Sequence, residues 1–222
     1  MHQNEELTLK QKFISGLITF FQKNRVFFII VLVLLIAAVI GLAVYDSYHK
    51  DSVDTQIAKV EVIENEYQTL QVASDKEAKL NNLIEEINNL ESSESLSKWP
   101  KQRLLFLTGK VYFDLQNWSE AADTYLETAN VQSSYLTTLS LFNASVAYEQ
   151  NGDLNKALEI LDQLESYDDE AVEKIHGLFN KGRLLEKLNR TPEAIEIYQS
   201  LETKYPNSDW TKLAKERIIK IK

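Results

Sequence analysis

The sequence predicts an all-α protein, in which one transmembrane helix is followed by a superhelix of short helical hairpins. Three observations predict it. Val26 to Tyr45 reads VFFIIVLVLLIAAVIGLAVY, twenty residues without a charge, an amide or a proline. No glycine or proline falls between Leu42 and Trp99, where apolar residues recur at three- and four-residue spacing. Beyond Trp99, a pattern of small and aromatic residues repeats at offsets of 36 and 37 residues.

In chain order, residues 1–25 form a short positive segment. Phe13, Ile14, Leu17, Ile18 and Phe21 fall at helical spacing among Lys10, Lys12, Gln22 and Lys23. Two readings stay open: a helix over residues 8–23 lying on the cytoplasmic membrane surface, or a flexible flank that only orients the anchor.

Residues 26–45 are the transmembrane helix. Core helices are seldom so apolar on every face, and twenty residues rise about 30 Å, enough to cross the hydrocarbon layer. A cleaved secretory signal competes poorly, because the run is longer than a signal's apolar region and Gly41-Leu42-Ala43 is a weak cleavage site. Lys12, Lys23 and Arg25 before the span, against Lys50 and Lys59 after it, favour a cytoplasmic N-terminus.

After the span lie 31 acidic and 20 basic residues, a net charge of −11, which argues against nucleic acid as a partner. The chain has no cysteine, which excludes disulfides, thiol nucleophiles and zinc–cysteine sites. Residues 46–98 read as a helical pair linking membrane and repeats. Val53, Ile57, Val60, Ile63, Tyr67 and Leu70 stripe the first helix, and Leu80, Leu83, Ile84, Ile87 and Leu90 stripe the second. Ser74 to Glu77 has capping-box spacing. The serine-rich stretch Glu91 to Lys98, closed by Trp99-Pro100, reads as a connection.

Residues 99–222 read as three tetratricopeptide-like repeats with a C-terminal capping helix. Gly109, Tyr112, Ala121 and Tyr125 take the small and aromatic positions of the first; Ser145, Tyr148, Ala157 and Leu161 those of the second; Gly182, Leu185, Ala194 and Tyr198 those of the third. Small residues let the two helices of a hairpin approach, with the aromatics filling space against the next hairpin. Thr191-Pro192-Glu193 and Ser208-Asp209 read as helix starts. Trp210, Leu213, Ala214, Arg217 and Ile218 would cover the end of the stack.

A short N-terminus, one span, a helical pair and a small repeat stack resemble the ancillary subunit family of the SecYEG translocon. Locally the resemblance rests on FFQKNRVFFIIVLVLL running into AVYDSYHKDS, followed by the repeats. YPNSDWTKLAKERI also resembles the last hairpin of repeat proteins of outer-membrane assembly and cell-division coordination. The first resemblance implies a single-pass protein of the bacterial inner membrane, with its soluble domain on the outer, periplasmic side and translocase subunits or exported clients as partners.

An enzyme is disfavoured. His2, His49 and His176 are far apart and in no ligand spacing. Gly109-Lys110 lacks the earlier glycine of a phosphate loop. Glu85-Glu86 and Asp168-Asp169-Glu170 read as solvated acids. No catalytic, metal or cofactor site is expected, and no small-molecule substrate.

What remains is protein binding. The resemblance to the repeat family implies that the fifth position of each first helix faces the concave groove: Phe106, Phe142 and Phe179. The second, ninth and twelfth positions bring Arg103, Lys110 and Phe113 in the first repeat, and Leu139, Val146 and Glu149 in the second. His176, Arg183 and Glu186 take them in the third. Such a groove suits helices or unfolded apolar segments of client proteins. Equally open is a core role for the phenylalanines, with helices 53–72 and 76–92 filling the groove. The expected function is therefore non-catalytic: an ancillary translocon-associated or chaperone-like interaction subunit, or else a structural scaffold for envelope assembly or division complexes.

Overall fold

The structure, a computed structural model, describes residues 9–72, 74–167 and 172–221. His2 and the acidic run Asp168-Asp169-Glu170 lie outside the described residues. Two units are distinguished, Met1–Ser52 and Val53–Lys222. Every described element is helical.

In the first unit, α1 (Leu9–Lys23) is followed after a turn at Asn24 by α2 (Arg25–Leu70), whose bounds extend into the second unit. Among the described residues, the most apolar window of α2 has no buried residue, unlike a core helix, and α2 is long and apolar enough to cross a membrane.

In the second unit, α2 buries Gln56, Val60, Ile63, Tyr67 and Leu70. The four apolar residues among them close one cluster with Leu80, Leu83 and Ile87 of α3 (Lys76–Ser93) and with Leu104, Leu107 and Val111 of α4 (Lys98–Asp114). The stripe expected from Val53 therefore shifts at its start. Val53 and Ile57 are only half-buried, while Gln56 is buried. Its amide reads the α3–α4 connection: Oε1 accepts from the Ser97 N–H at 2.8 Å, and Nε2 donates to the Ser95 carbonyl at 3.3 Å. A polar side chain is tolerated there because it satisfies backbone groups that no helix satisfies.

Two local expectations are corrected. The capping box at Ser74 does not form: Asp75 precedes α3 without a side-chain cap, and its carboxylate pairs with Lys79 Nζ at 2.8 Å instead. Trp99 and Pro100 lie inside the first turn of α4, not in the connection. Proline fits there because first-turn N–H groups have no intrahelical acceptor. The serines do end α3, with Ser92 and Ser93 hydroxyls donating back to the Asn89 and Leu90 carbonyls.

Three hairpins follow: α4 with α5 (Trp118–Val131), α6 (Tyr135–Gln150) with α7 (Leu154–Glu165), and α8 (Val172–Lys187) with α9 (Thr191–Lys204). Their turns share one geometry. Gln116, Gly152 and Asn189 have φ of 61°, 88° and 59°. In each turn the left-handed residue donates to the carbonyl three back, and the next residue to the carbonyl five back, closing the helix with paired bonds. Only the second repeat uses glycine, which adopts this conformation without steric cost.

Gly109 and Gly182 meet Tyr125 and Tyr198 of their own hairpins, so these aromatics fill space within a hairpin. The start of α9 is also corrected: Arg190 is the N-cap and Thr191 the first helical residue, with Arg190 Nε donating to Glu193 at 2.7 Å. The last helix, α10 (Asp209–Ile221), begins as expected, the Ser208 hydroxyl accepting from the Trp210 N–H at 3.2 Å. It seats Ala214 and Thr211, both fully buried, while Leu213 turns outward.

Candidate functional site: the groove-facing residues of the repeats

The twelve sequence-selected residues do not form one uniform groove. Around the first repeat they help line an open cleft of about 460 Å³, bounded by Glu64 and Gln68 of α2, by Trp99, Arg103, Phe106, Leu107 and Lys110 of α4, and by Tyr135, Leu136 and Leu139 of α6. Phe106 packs on Tyr125 with ring centroids 5.7 Å apart, leaving one face toward the cleft. At the rim, Trp99 and Tyr135 meet edge to face at 5.9 Å, and Tyr135 is 69% exposed.

The cations of this cleft are already engaged. Arg103 Nε donates to Glu64 Oε1 at 3.2 Å and Nη1 to Glu61 Oε1 at 3.3 Å. Lys110 Nζ stands 4.5 Å from the centre of the Tyr67 ring. Tyr67 donates its hydroxyl to Asp114 at 3.0 Å, and its pKa is pushed up by burial and then by the Asp114 charge. The pair α2–α3 thus covers one flank of the first repeat without filling the cleft.

Phe113 lies outside this lining and packs edge to face on Trp118 at 4.8 Å. Val146 is half-buried.

Around the third repeat the corresponding surface is occupied by the protein itself. His176 lies between Phe142, at 4.4 Å, and Trp210 of α10, stacked at 3.8 Å and 9°. Trp210 also approaches Phe179 at 5.4 Å. Burial, then the positive charge of Arg183, holds the His176 pKa below its usual 6.5.

The remaining charges form two internal pairs. Glu149, half-buried, accepts from Arg183 Nη1 at 2.7 Å and also pairs with Lys187. Those hydrogen bonds hold its carboxyl below the usual range against the opposing effect of burial. Glu186 accepts from Arg217 Nε at 3.0 Å and from the Tyr198 hydroxyl at 2.5 Å. Its pKa is also lowered: burial pushes it up, but the bonds from Arg217 and Tyr198 outweigh that.

Sequence reasoning brought together Arg103, Phe106, Lys110 and Leu139, and it grouped with them residues that the cap helix covers. It missed Glu64, Gln68, Trp99, Leu107, Tyr135 and Leu136. Trp99 and Tyr135 did carry a signal, as large aromatics in the first turns of successive first helices, 36 residues apart. Among the described residues, no group of three or more His, Cys, Asp or Glu is placed to hold a metal ion.

Hairpins of this geometry define an all-α superhelix of the tetratricopeptide-like class. Residues 106–171 and residues 177–208 each match a family model described as tetratricopeptide repeat. Over 112 residues the chain is 29% identical to a TPR repeat-containing protein of Treponema pallidum (strain Nichols), covering 50% of this chain and 46% of that protein. The chain thus spans about half the length of that relative. Nearly identical TPR-like repeats from a Podosopora anserina chain described as kinesin light chain superpose with a TM-score of 0.53 at 12% identity, covering 74% of this chain and 83% of that one. A variant of those repeats with one methionine substitution gives the same values. At such identity the likeness shows the fold alone. Tetratricopeptide repeats are scaffolds for protein–protein interaction.

Proposed function

We propose that this chain is a membrane-anchored interaction protein of the bacterial inner membrane, an ancillary translocon-associated or chaperone-like subunit. Its repeat domain, on the outer side, captures apolar segments of client proteins. The observation that carries the reading is the open cleft over Trp99, Phe106, Tyr135 and Leu139. It presents a half-exposed aromatic and aliphatic lining in which Arg103 is ion-paired with Glu61 and Glu64 and Lys110 is held over the Tyr67 ring. Such a lining rewards apolar ligands and gives an acidic peptide little to pair with. The uncovered apolar stretch of α2 supports the anchor and would raise the effective concentration of the cleft toward partners at the same membrane.

A second reading is a structural scaffold for envelope assembly or division complexes. The seating of Trp210 on His176 favours it, because the third repeat then keeps little free inner surface.

Purification of the full-length chain in mild detergent, followed by mass spectrometry, tests both. Translocase subunits and exported clients that are lost with Tyr135→Ala and Leu139→Ser support the first reading. Wall or outer-membrane assembly factors retained by those variants support the second.

A further inference from the structure

We propose that α1 is a second membrane contact, an amphipathic helix that lies in an anionic leaflet on the N-terminal side of the span. This rests on the anchoring reading above and adds a lipid-binding surface distinct from the span itself.

At about 100° per residue, the side chains of α1 from Lys12 onward separate into two arcs, while Lys10 in the first turn falls on the apolar side, where its long stem can carry the ammonium out to the headgroups. Phe13, Leu17, Phe20, Phe21, Ile14 and Ile18 occupy one arc of about 160°, and each is between 43% and 69% exposed. Ser15, Thr19, Gln22, Lys12 and Lys23 occupy the other. The two hydroxyls are turned back on the helix, Ser15 Oγ donating to the Lys12 carbonyl at 3.0 Å and Thr19 Oγ1 to the Ser15 carbonyl at 2.9 Å. Seven large apolar residues among fifteen are far more than a helix standing in water sustains.

α1 cannot simply lengthen the span. Gln22, Lys23, Asn24 and Arg25 interrupt the apolar run, and charged residues are disfavoured in the hydrocarbon layer. The helix itself is interrupted there: Asn24 is a turn residue whose Nδ2 donates to the Phe20 carbonyl at 2.8 Å. Phe20, Phe21 and Phe28 gather their rings across that turn, Phe21 and Phe28 at 4.6 Å and Phe20 and Phe28 at 5.8 Å. The apolar arc is thereby continuous with the lipid-facing surface of α2, which identifies its occupant as the same bilayer. Lys12 and Lys23 on the polar arc, with Arg25 at the turn, match anionic headgroups.

The absence of cysteine allows a direct test on the full-length chain. Leu17→Cys, Thr19→Cys and Ile36→Cys are each labelled with an environment-sensitive fluorophore and reconstituted into phosphatidylcholine vesicles with or without a quarter phosphatidylglycerol. The Leu17 label is expected to be quenched several-fold more strongly than the Thr19 label by lipids spin-labelled near the headgroup. The Thr19 label is expected to yield to aqueous iodide, and the Ile36 label to lipids spin-labelled deep in the chain. Adding Lys12→Gln and Lys23→Gln to Leu17→Cys should weaken its quenching only in the anionic vesicles. If Leu17 and Thr19 are equally open to iodide while Ile36 is protected, α1 stands in water and the proposal falls with the anchor intact. If Ile36 is also open to iodide, the anchoring reading fails and takes the proposal with it. Unchanged quenching after loss of both lysines overturns the preference for an anionic surface.

Discussion

The Tyr125 ring of α5 lies so close over Gly109 of α4 that a Cβ on the glycine would stand 2.7 Å from its Cδ1 and Cε1. Tyr125 is almost fully buried and backed by Phe106, so the ring has no room to withdraw. Alanine is the better helix former by about 1 kcal/mol, but overpacking costs about 1–3 kcal/mol. Gly109→Ala is therefore expected to destabilise the domain, lowering the thermal midpoint by about 2–4 °C per kcal/mol. A raised midpoint would show that the close approach is dispensable.

Gln102 is expected to be among the most sensitive polar positions. It is fully buried, its Nε2 donates to the Thr128 and Gln132 carbonyls at 3.1 and 2.9 Å, and its Oε1 accepts from Ser134 Oγ at 2.8 Å. One side chain thus ties α4 to the connection between the first and second repeats. Gln102→Leu keeps the volume but orphans these groups, at a cost of about 1–3 kcal/mol. Denaturant melts of the two proteins check this, and a change within error removes the amide from the account.

The His176–Trp210 stack predicts a pH response. Burial and the Arg183 charge depress the folded pKa, so the unfolded chain binds the proton more readily. Stability from this group is therefore complete above the ordinary value of 6.5 and is lost as pH falls through the lowered folded pKa. Thermal midpoints measured from pH 7.5 downward should decline more in the wild type than in His176→Phe, which retains an aromatic ring between Phe142 and Trp210. Parallel curves would mean that protonation does not reach the stack.

Glu149 governs a separate, more acid window. Hydrogen bonds from Arg183 and then Lys187 lower its folded pKa, so its contribution is complete above 4.5 and is lost as pH falls through the folded value. Glu149→Gln should flatten that acid limb while costing about 1–3 kcal/mol at neutral pH. The midpoint difference between the two proteins, followed from pH 7 to pH 3, should shrink. A constant difference would assign the acid limb to other carboxylates.

Periodicity made the helices legible: the offsets of 36 and 37 residues recur in the small positions, in the left-handed turn residues Gln116, Gly152 and Asn189, and in the pair Trp99 and Tyr135. Helix ends were less legible, since Ser74 and Thr191 have capping chemistry that the chain leaves unused as N-caps. The cleft was half legible. Register along a helix selects Phe106 and Leu139, but only packing across the sequence brings Glu64 and Gln68 of α2 beside them.

By itself, the sequence determined the helical class, the uncharged stretch from Val26 to Tyr45 and the three-hairpin register, because each is written in local composition and spacing. Tertiary structure alone decided which equivalent residues stay open. Phe106, Phe142 and Phe179 share one repeat position, yet Trp210 closes over His176 and Phe179, and His176 packs on Phe142, while Phe106 faces a cleft. The physical reason is that exposure in a stacked fold belongs to the neighbour, and the neighbours of the first and third repeats differ.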